Sequence, residues 1–253
     1  MLKTRVIPIV LLKDGEITVK SVQFGWLRPV GHPVNSVRVY NARNVDELIF
    51  LDISATKLNR GPLLSIVPEI LDECFMPLTV GGGIKNLSDI HALLNIGADK
   101  VAINTSAVEN PNLIKDAAFK FGNQCIVVSI DVKKNSNGSY EIYTRCGSHP
   151  TGLDPIKWAK KMERYGAGEI LLNSIDKDGT EEGYDIALIR SVAESLNIPV
   201  IAAGGAGKLD DFIAAVKDGR ASAVAAGSVY LFTDITPNMV KLGMKNAGIN
   251  TRI

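Results

Sequence analysis

Eight short runs, each apolar at nearly every position rather than at alternate ones, restrict this chain more than any other feature. They fall at residues 5–11, 47–52, 78–80, 100–103, 125–131, 169–173, 200–203 and 222–226. A strand that is apolar throughout has both faces covered, which marks a parallel strand flanked by helices. Amphipathic segments with helical spacing lie between and after them, at 33–43, 60–74, 86–96, 110–120, 154–165, 184–196, 208–218 and 237–246. Eight βα units within 253 residues predict an α/β fold of the (β/α)8 TIM-barrel kind. A doubly wound sheet is the alternative, but it more usually stops at five or six strands.

The two chain halves echo each other. FLDISA (50–55) is matched by LLNSID (171–176), LTVGGGI (78–84) by VIAAGGAG (200–207), and GADKVAINTSAV (97–108) by GRASAVAAGSVY (219–230), each about 120 residues on. An internal repeat of four βα units follows, so a single domain over 1–253 is expected, with half-barrels of about 1–122 and 123–253 and no linker. Two segments interrupt the rhythm: 14–32, long enough for a lid, and 133–152, whose Asn137-Gly138 pair suggests a hairpin. Both follow strands and therefore belong to the face where barrels of this kind carry their chemistry.

A strand that ends on glycines presents backbone N–H groups with no side chain in front of them, as an approaching phosphate requires. Each half offers such a cradle: Gly82 and Gly83 with Asn104 and Thr105, and Gly204 and Gly205 with Gly227 and Ser228, where a short helix could start. Two cradles across one barrel mouth imply a ligand phosphorylated at both ends. Among the acids, Asp131 closes the run IVVSID and should face the mouth as a general acid or base. Asp52, Asp176 and Asp178 sit at similar heights, where they could equally cap loops. Aligning 7–13 on 127–133 sets Leu11 opposite Asp131, so strand one has no acid where strand five has one.

The net charge of +1 gives no electrostatic case for nucleic acid or a membrane surface. The apolar run near the N-terminus is too short for a leader or a span, and a cytoplasmic protein is expected. Cys74, Cys125 and Cys146 form no CxxC pair, and His32, His91 and His149 have no metal-ligand spacing, so neither metal nor cofactor is expected. Trp26, in the first long loop, could cover a ligand or pin the loop.

The strings RVIP (5–8), KDG (13–15), DELIFLDI (46–53), PLTVGGGI (77–84), GADKVAINTSAVENP (97–111), GAGEILLNSIDKDGTEEGYD (166–185) and AAGGAGK (202–208) span the chain. Together they resemble the HisF family, the cyclase subunit of imidazole glycerol phosphate synthase. The resemblance implies a barrel with two phosphate sites and a HisH-type glutaminase partner on the opposite face, whose ammonia travels along the barrel axis. It also implies a charged entrance ring, at Arg5, Glu47, Lys100 and Glu169, each at the start of a strand.

The family's catalytic pair is an aspartate on strand one and another on strand five. Asp131 matches the second, but Leu11 stands at the first, and a leucine cannot transfer a proton. Asn173 replaces the usual threonine and Cys146 the usual serine. The pattern is similar to HisF-like proteins of surface-polysaccharide biosynthesis, which pass glutaminase-derived ammonia to a separate amidotransferase making acetamidino sugars. Two alternatives stand beside that expectation. One is a true cyclase that converts a ribulosyl bis-phosphate to imidazole glycerol phosphate and AICAR in histidine biosynthesis. The other is a non-catalytic phosphosugar-binding scaffold.

Overall fold

The computed structural model describes residues 3–252. In chain order the elements are β1 (Arg5–Lys13), β2 (Ile17–Ser21), β3 (Leu27–Gly31), α1 (Pro33–Ala42), β4 (Leu48–Asp52), α2 (Val67–Leu71), β5 (Leu78–Gly81) and α3 (Leu87–Asn95). There follow β6 (Lys100–Ile103), α4 (Thr105–Glu109), α5 (Asn112–Phe121), β7 (Ile126–Lys134), β8 (Tyr140–Thr144), β9 (His149–Pro150) and α6 (Pro155–Arg164). The chain ends with β10 (Glu169–Ser174), α7 (Ile186–Ala193), β11 (Val200–Ala203), α8 (Leu209–Lys217), β12 (Ala223–Ala226), α9 (Val229–Phe232) and α10 (Pro237–Asn246).

Eight strands pair in parallel in the order β1, β4, β5, β6, β7, β10, β11 and β12, and β12 pairs back onto β1. The closed ring with helices between its strands is a (β/α)8 TIM barrel. Side chains on a strand alternate between faces, so each strand feeds two cores. Outward residues such as Val6, Val10, Leu48, Phe50, Val128 and Ile170 pack under the helices. Inward residues form a smaller cluster of Ile7, Ile49, Ala102, Val127, Leu171, Ile201, Ala203, Ala223 and Ala225. Three of its alanines, Ala102, Ala203 and Ala225, line the cavity at the barrel mouth.

The expected strands all appear, most with small shifts in their bounds. The expected helix over 60–74 is corrected to one turn and a half at α2. Gly61-Pro62 keeps the chain out of helix before it, because a residue ahead of proline is disfavoured in the α region; Pro68 fits only because it sits in the first turn. Both long segments fold as antiparallel ribbons: β1 runs into β2 and β3, and β7 into β8 and β9. The Asn137-Gly138 hairpin closes as the sequence predicts, with Gly138 at φ +86°. These ribbons grow from the two strands that carry Leu11 and Asp131.

At the base, the Lys241 ammonium on α10 meets Asp46 at 2.9 Å, with both side chains almost wholly buried. Asp46 also accepts the Val6 N–H at 2.8 Å, and Lys241 donates to the Asn44 carbonyl at 2.7 Å. The last helix is thereby clamped to the strands that begin the barrel.

Candidate functional site

At the C-terminal ends of the barrel strands lies a cavity of about 200 Å³. All eight expected cradle residues, Gly82, Gly83, Asn104, Thr105, Gly204, Gly205, Gly227 and Ser228, line it. The four strand-end glycines have φ between +73° and +115°, a region that side chains rarely adopt. They are also tightly enclosed: a Cβ on Gly82 would lie 2.3 Å from the Asp52 carbonyl, and one on Gly205 2.3 Å from the Gly183 carbonyl. Gly83 abuts Gly61 as Gly205 abuts Gly183, so the two halves repeat the same contacts about 122 residues apart. Asn104 and Thr105 also make contacts within the fold. Asn104 Nδ2 donates to Asp131 at 3.0 Å, and the Thr105 hydroxyl accepts the Arg145 N–H at 3.1 Å.

Strand register decides which groups face one another across the mouth. On β1 and β4, Leu11 pairs with Leu51; on β7 and β10, Asp131 pairs with Asn173. Leu51 and Asn173 are the repeat equivalents, so Leu11 holds the place of Asp131. One wall of the mouth is therefore leucine on leucine, and the opposite wall is carboxylate beside amide.

Asp131 is pushed up to about 7, first by burial and then by the charge of Asp178, against a hydrogen bond from Ser129. Asp178 is also raised by burial, although the Ser21 hydroxyl, donating at 2.7 Å, and the Lys20 charge oppose the shift. Lys20 reaches in from β2, donates to the Ile9 carbonyl at 2.7 Å and is lowered to about 8 by burial, with Asp178 holding it up. Its ammonium occupies the space over Gly227, where a Cβ would come within 2.0 Å of Nζ. The mouth thus places a carboxyl that titrates near neutrality in one cavity with a buried amine.

The β2–β3 ribbon closes over this site. Gln23 donates its backbone N–H to the Asp178 carbonyl at 2.8 Å and its side-chain amide to the Asp176 carbonyl at 2.9 Å. Phe24 lies against Gly147, where a Cβ would approach its ring at 2.8 Å. Trp26 has neither expected role: it is 66% exposed and does not line the cavity, and Phe24 pins the ribbon instead.

Of the remaining acids, Asp52 accepts the Ser54 and Ala55 N–H groups and pairs with Arg60, which makes it a loop cap. Asp176 accepts the Lys134 N–H at 2.7 Å and lies off the cavity. The Cys146 thiol lines the mouth, donates to the Ile53 carbonyl at 3.0 Å and is raised to about 11, chiefly by burial. No cluster of residues suited to a metal ion occurs among the described residues, and His32 and His149 are exposed. The sequence did not single out Lys20. Its one signal there is a lysine inside the apolar stretch ITVKS, a cation with no obvious route to water.

At the other end of the barrel, Arg5, Glu47, Lys100 and Glu169 form a closed square of alternating charge. Arg5 Nη1 meets Glu47 at 2.7 Å and Glu169 at 2.9 Å; Lys100 Nζ meets the same two carboxylates at 3.0 Å and 3.2 Å. Each side chain is only 10–15% exposed. Burial weakens the Arg5 guanidinium, but Glu169 and Glu47 outweigh it and hold its pKa above the ordinary value. Charges so poorly hydrated persist because each has two opposite partners.

None of the described helices is long and apolar enough to cross a membrane. A barrel of eight parallel strands, glycine-lined at both halves of its mouth and closed by charge at its base, is matched by one protein-family model. That model, described as histidine biosynthesis protein, covers residues 5–236, and the chain belongs to this family.

Proposed function

We propose that this chain is a HisF-like synthase subunit that receives ammonia from a HisH-type glutaminase at the charged base of the barrel and delivers it at the mouth for amidation. The observation that carries the reading is Leu11, which occupies the strand-one equivalent of Asp131 and removes one member of an acid/base pair. The square of Arg5, Glu47, Lys100 and Glu169 supports the conduit, because a self-neutralising ring can close a narrow entrance and open by exchanging partners. The apolar interior above it supports passage of a small neutral molecule in preference to an ion. The amidation belongs to a separate amidotransferase making an acetamidino sugar for a surface polysaccharide, within the cytoplasm.

The cyclase of histidine biosynthesis is the second reading, favoured by the two intact cradles and by an Asp131 that titrates near neutrality. Expression of the chain with a HisH-type glutaminase in a strain lacking the cyclase separates the two. The conduit reading expects no growth without histidine, and growth would overturn it. A complex that forms yet passes no glutamine-derived ammonia to any acceptor would point instead to a phosphosugar-binding scaffold.

A further inference from the structure

The fold makes little use of Leu11 in the leucine wall of the mouth. Leu11 is half-buried, lines the cavity and belongs to neither apolar cluster of the barrel. Leu51 and Ile9 touch the inner cluster only from above and also line the cavity, and Phe24 and Leu27 continue the apolar surface from the ribbon. Opposite stand Asp131 and Asn173, in register on β7 and β10, with Asn104 bonded to Asp131. Asn173 lines the cavity too, with its Oδ1 atom buried against Gly204 and without a hydrogen-bond partner among the described residues. Apolar groups left facing a cavity are stabilised only by what fills it.

We infer that the mouth takes a phosphorylated sugar with a compact apolar substituent, a deoxy methyl or an acyl methyl, seated on Leu11 and Leu51. Its hydroxyl or amide groups face Asp131 and Asn173. The assignment rests on the reading of the glycine turns as phosphate cradles; what it adds is the chemistry between them. A fully hydroxylated sugar would leave hydroxyls against leucine without partners, so the wall selects against it as well as for the methyl.

Calorimetric titration of the intact chain tests this with two matched pairs: D-fucose 1-phosphate (6-deoxy-D-galactose 1-phosphate) against D-galactose 1-phosphate, and N-acetyl-D-glucosamine 1-phosphate against D-glucose 1-phosphate. Inorganic phosphate alone reads the cradles. The methyl-bearing member of at least one pair should bind about four- to tenfold more tightly, from the burial of one methyl group and the leucine surface it covers. The preference should vanish in Leu11→Asn and Leu51→Asn and survive in Leu11→Ile. Binding of phosphate and sugar phosphates with no preference in either pair overturns the inference and leaves the cradles standing. Absence of binding by inorganic phosphate and by every sugar phosphate overturns both.

Discussion

Replacing Asp131 by asparagine tests the electrostatics of the mouth in a single measurement. Asp131 titrates near 7 in the folded chain because burial and Asp178 oppose its charge. In the unfolded chain an aspartate titrates near 3.9. Between these values the folded state holds a proton that the unfolded state has lost, so stability falls as pH rises from about 4 to about 7 and then levels off. The full difference corresponds to about 4 kcal/mol, and partial hydration of a half-buried carboxylate reduces it to roughly 2–4 kcal/mol. Asp131→Asn removes this penalty while its amide oxygen still accepts from Asn104, which donates at 3.0 Å. Thermal melts should therefore show the variant above the parent at pH 8 by roughly 4–16 °C, for a chain of this size. At pH 4, where the parent carboxyl is already protonated in the fold, the two should nearly coincide. An equal gain at both pH values, or a loss at pH 8, would refute the claim that the mouth holds this carboxyl against its charge.

The base of the barrel, its last helix and the Lys20 site each allow a separate test. Lys100→Met leaves Glu47 and Glu169 sharing Arg5 alone and should lower stability by about 3 kcal/mol in denaturant melts, with Lys100→Met/Glu169→Gln recovering more than half. Lys241→Met strands Asp46 in the interior, so a loss of about 3–5 kcal/mol is expected, nearly independent of added salt because both groups are shielded from it. Gly227→Ala places a methyl where the Lys20 ammonium sits; the amine should leave the mouth, and its titration, followed by NMR, should move from about 8 toward about 10.4.

The barrel was legible because parallel strands covered on both faces leave an unmistakable trace: runs such as IVVSID and EILLN are apolar where they touch helices and keep an apolar residue, Val127 or Leu171, on the axis side as well. The glycine turns were legible because glycine is the residue that tolerates both the positive φ and the contact with Asp52 or Gly183. Lys20 was hidden because its role depends on β2 folding back against β1, a pairing that spacing along the chain does not reveal. Asp178 was ambiguous for a related reason. In DKDGT it reads like any turn aspartate, and only the ribbon brings Ser21 and Lys20 to it. The overlong helix at 60–74 shows the converse: its apolar residues Ile66, Val67 and Ile70 are buried as helical spacing suggests, while Gly61-Pro62 shapes the chain before them.

The two ends of this barrel answer to different physical constraints, which explains how one can change while the other holds. In the square of Arg5, Glu47, Lys100 and Glu169 every charge has two partners, so the loss of any one strands the others in a poorly hydrated site. The mouth has no such mutual dependence at strand one. Leu11 packs into neither cluster, so the fold sets little demand on the residue there beyond tolerance of a half-hydrated cavity. Between them lies the apolar collar of Ile7, Ile49, Val127, Leu171 and Ile201. On β10 alone, Glu169 of the ring and Asn173 of the mouth stand four residues apart, about 13 Å along a strand, with Leu171 between them on the same face. Charge at the base is too well neutralised, and too far from the mouth, to register which group stands at position 11. The residue at position 11 can therefore differ without disturbing the barrel, its closure or its base, and in this chain a leucine wall stands there opposite Asp131 and Asn173.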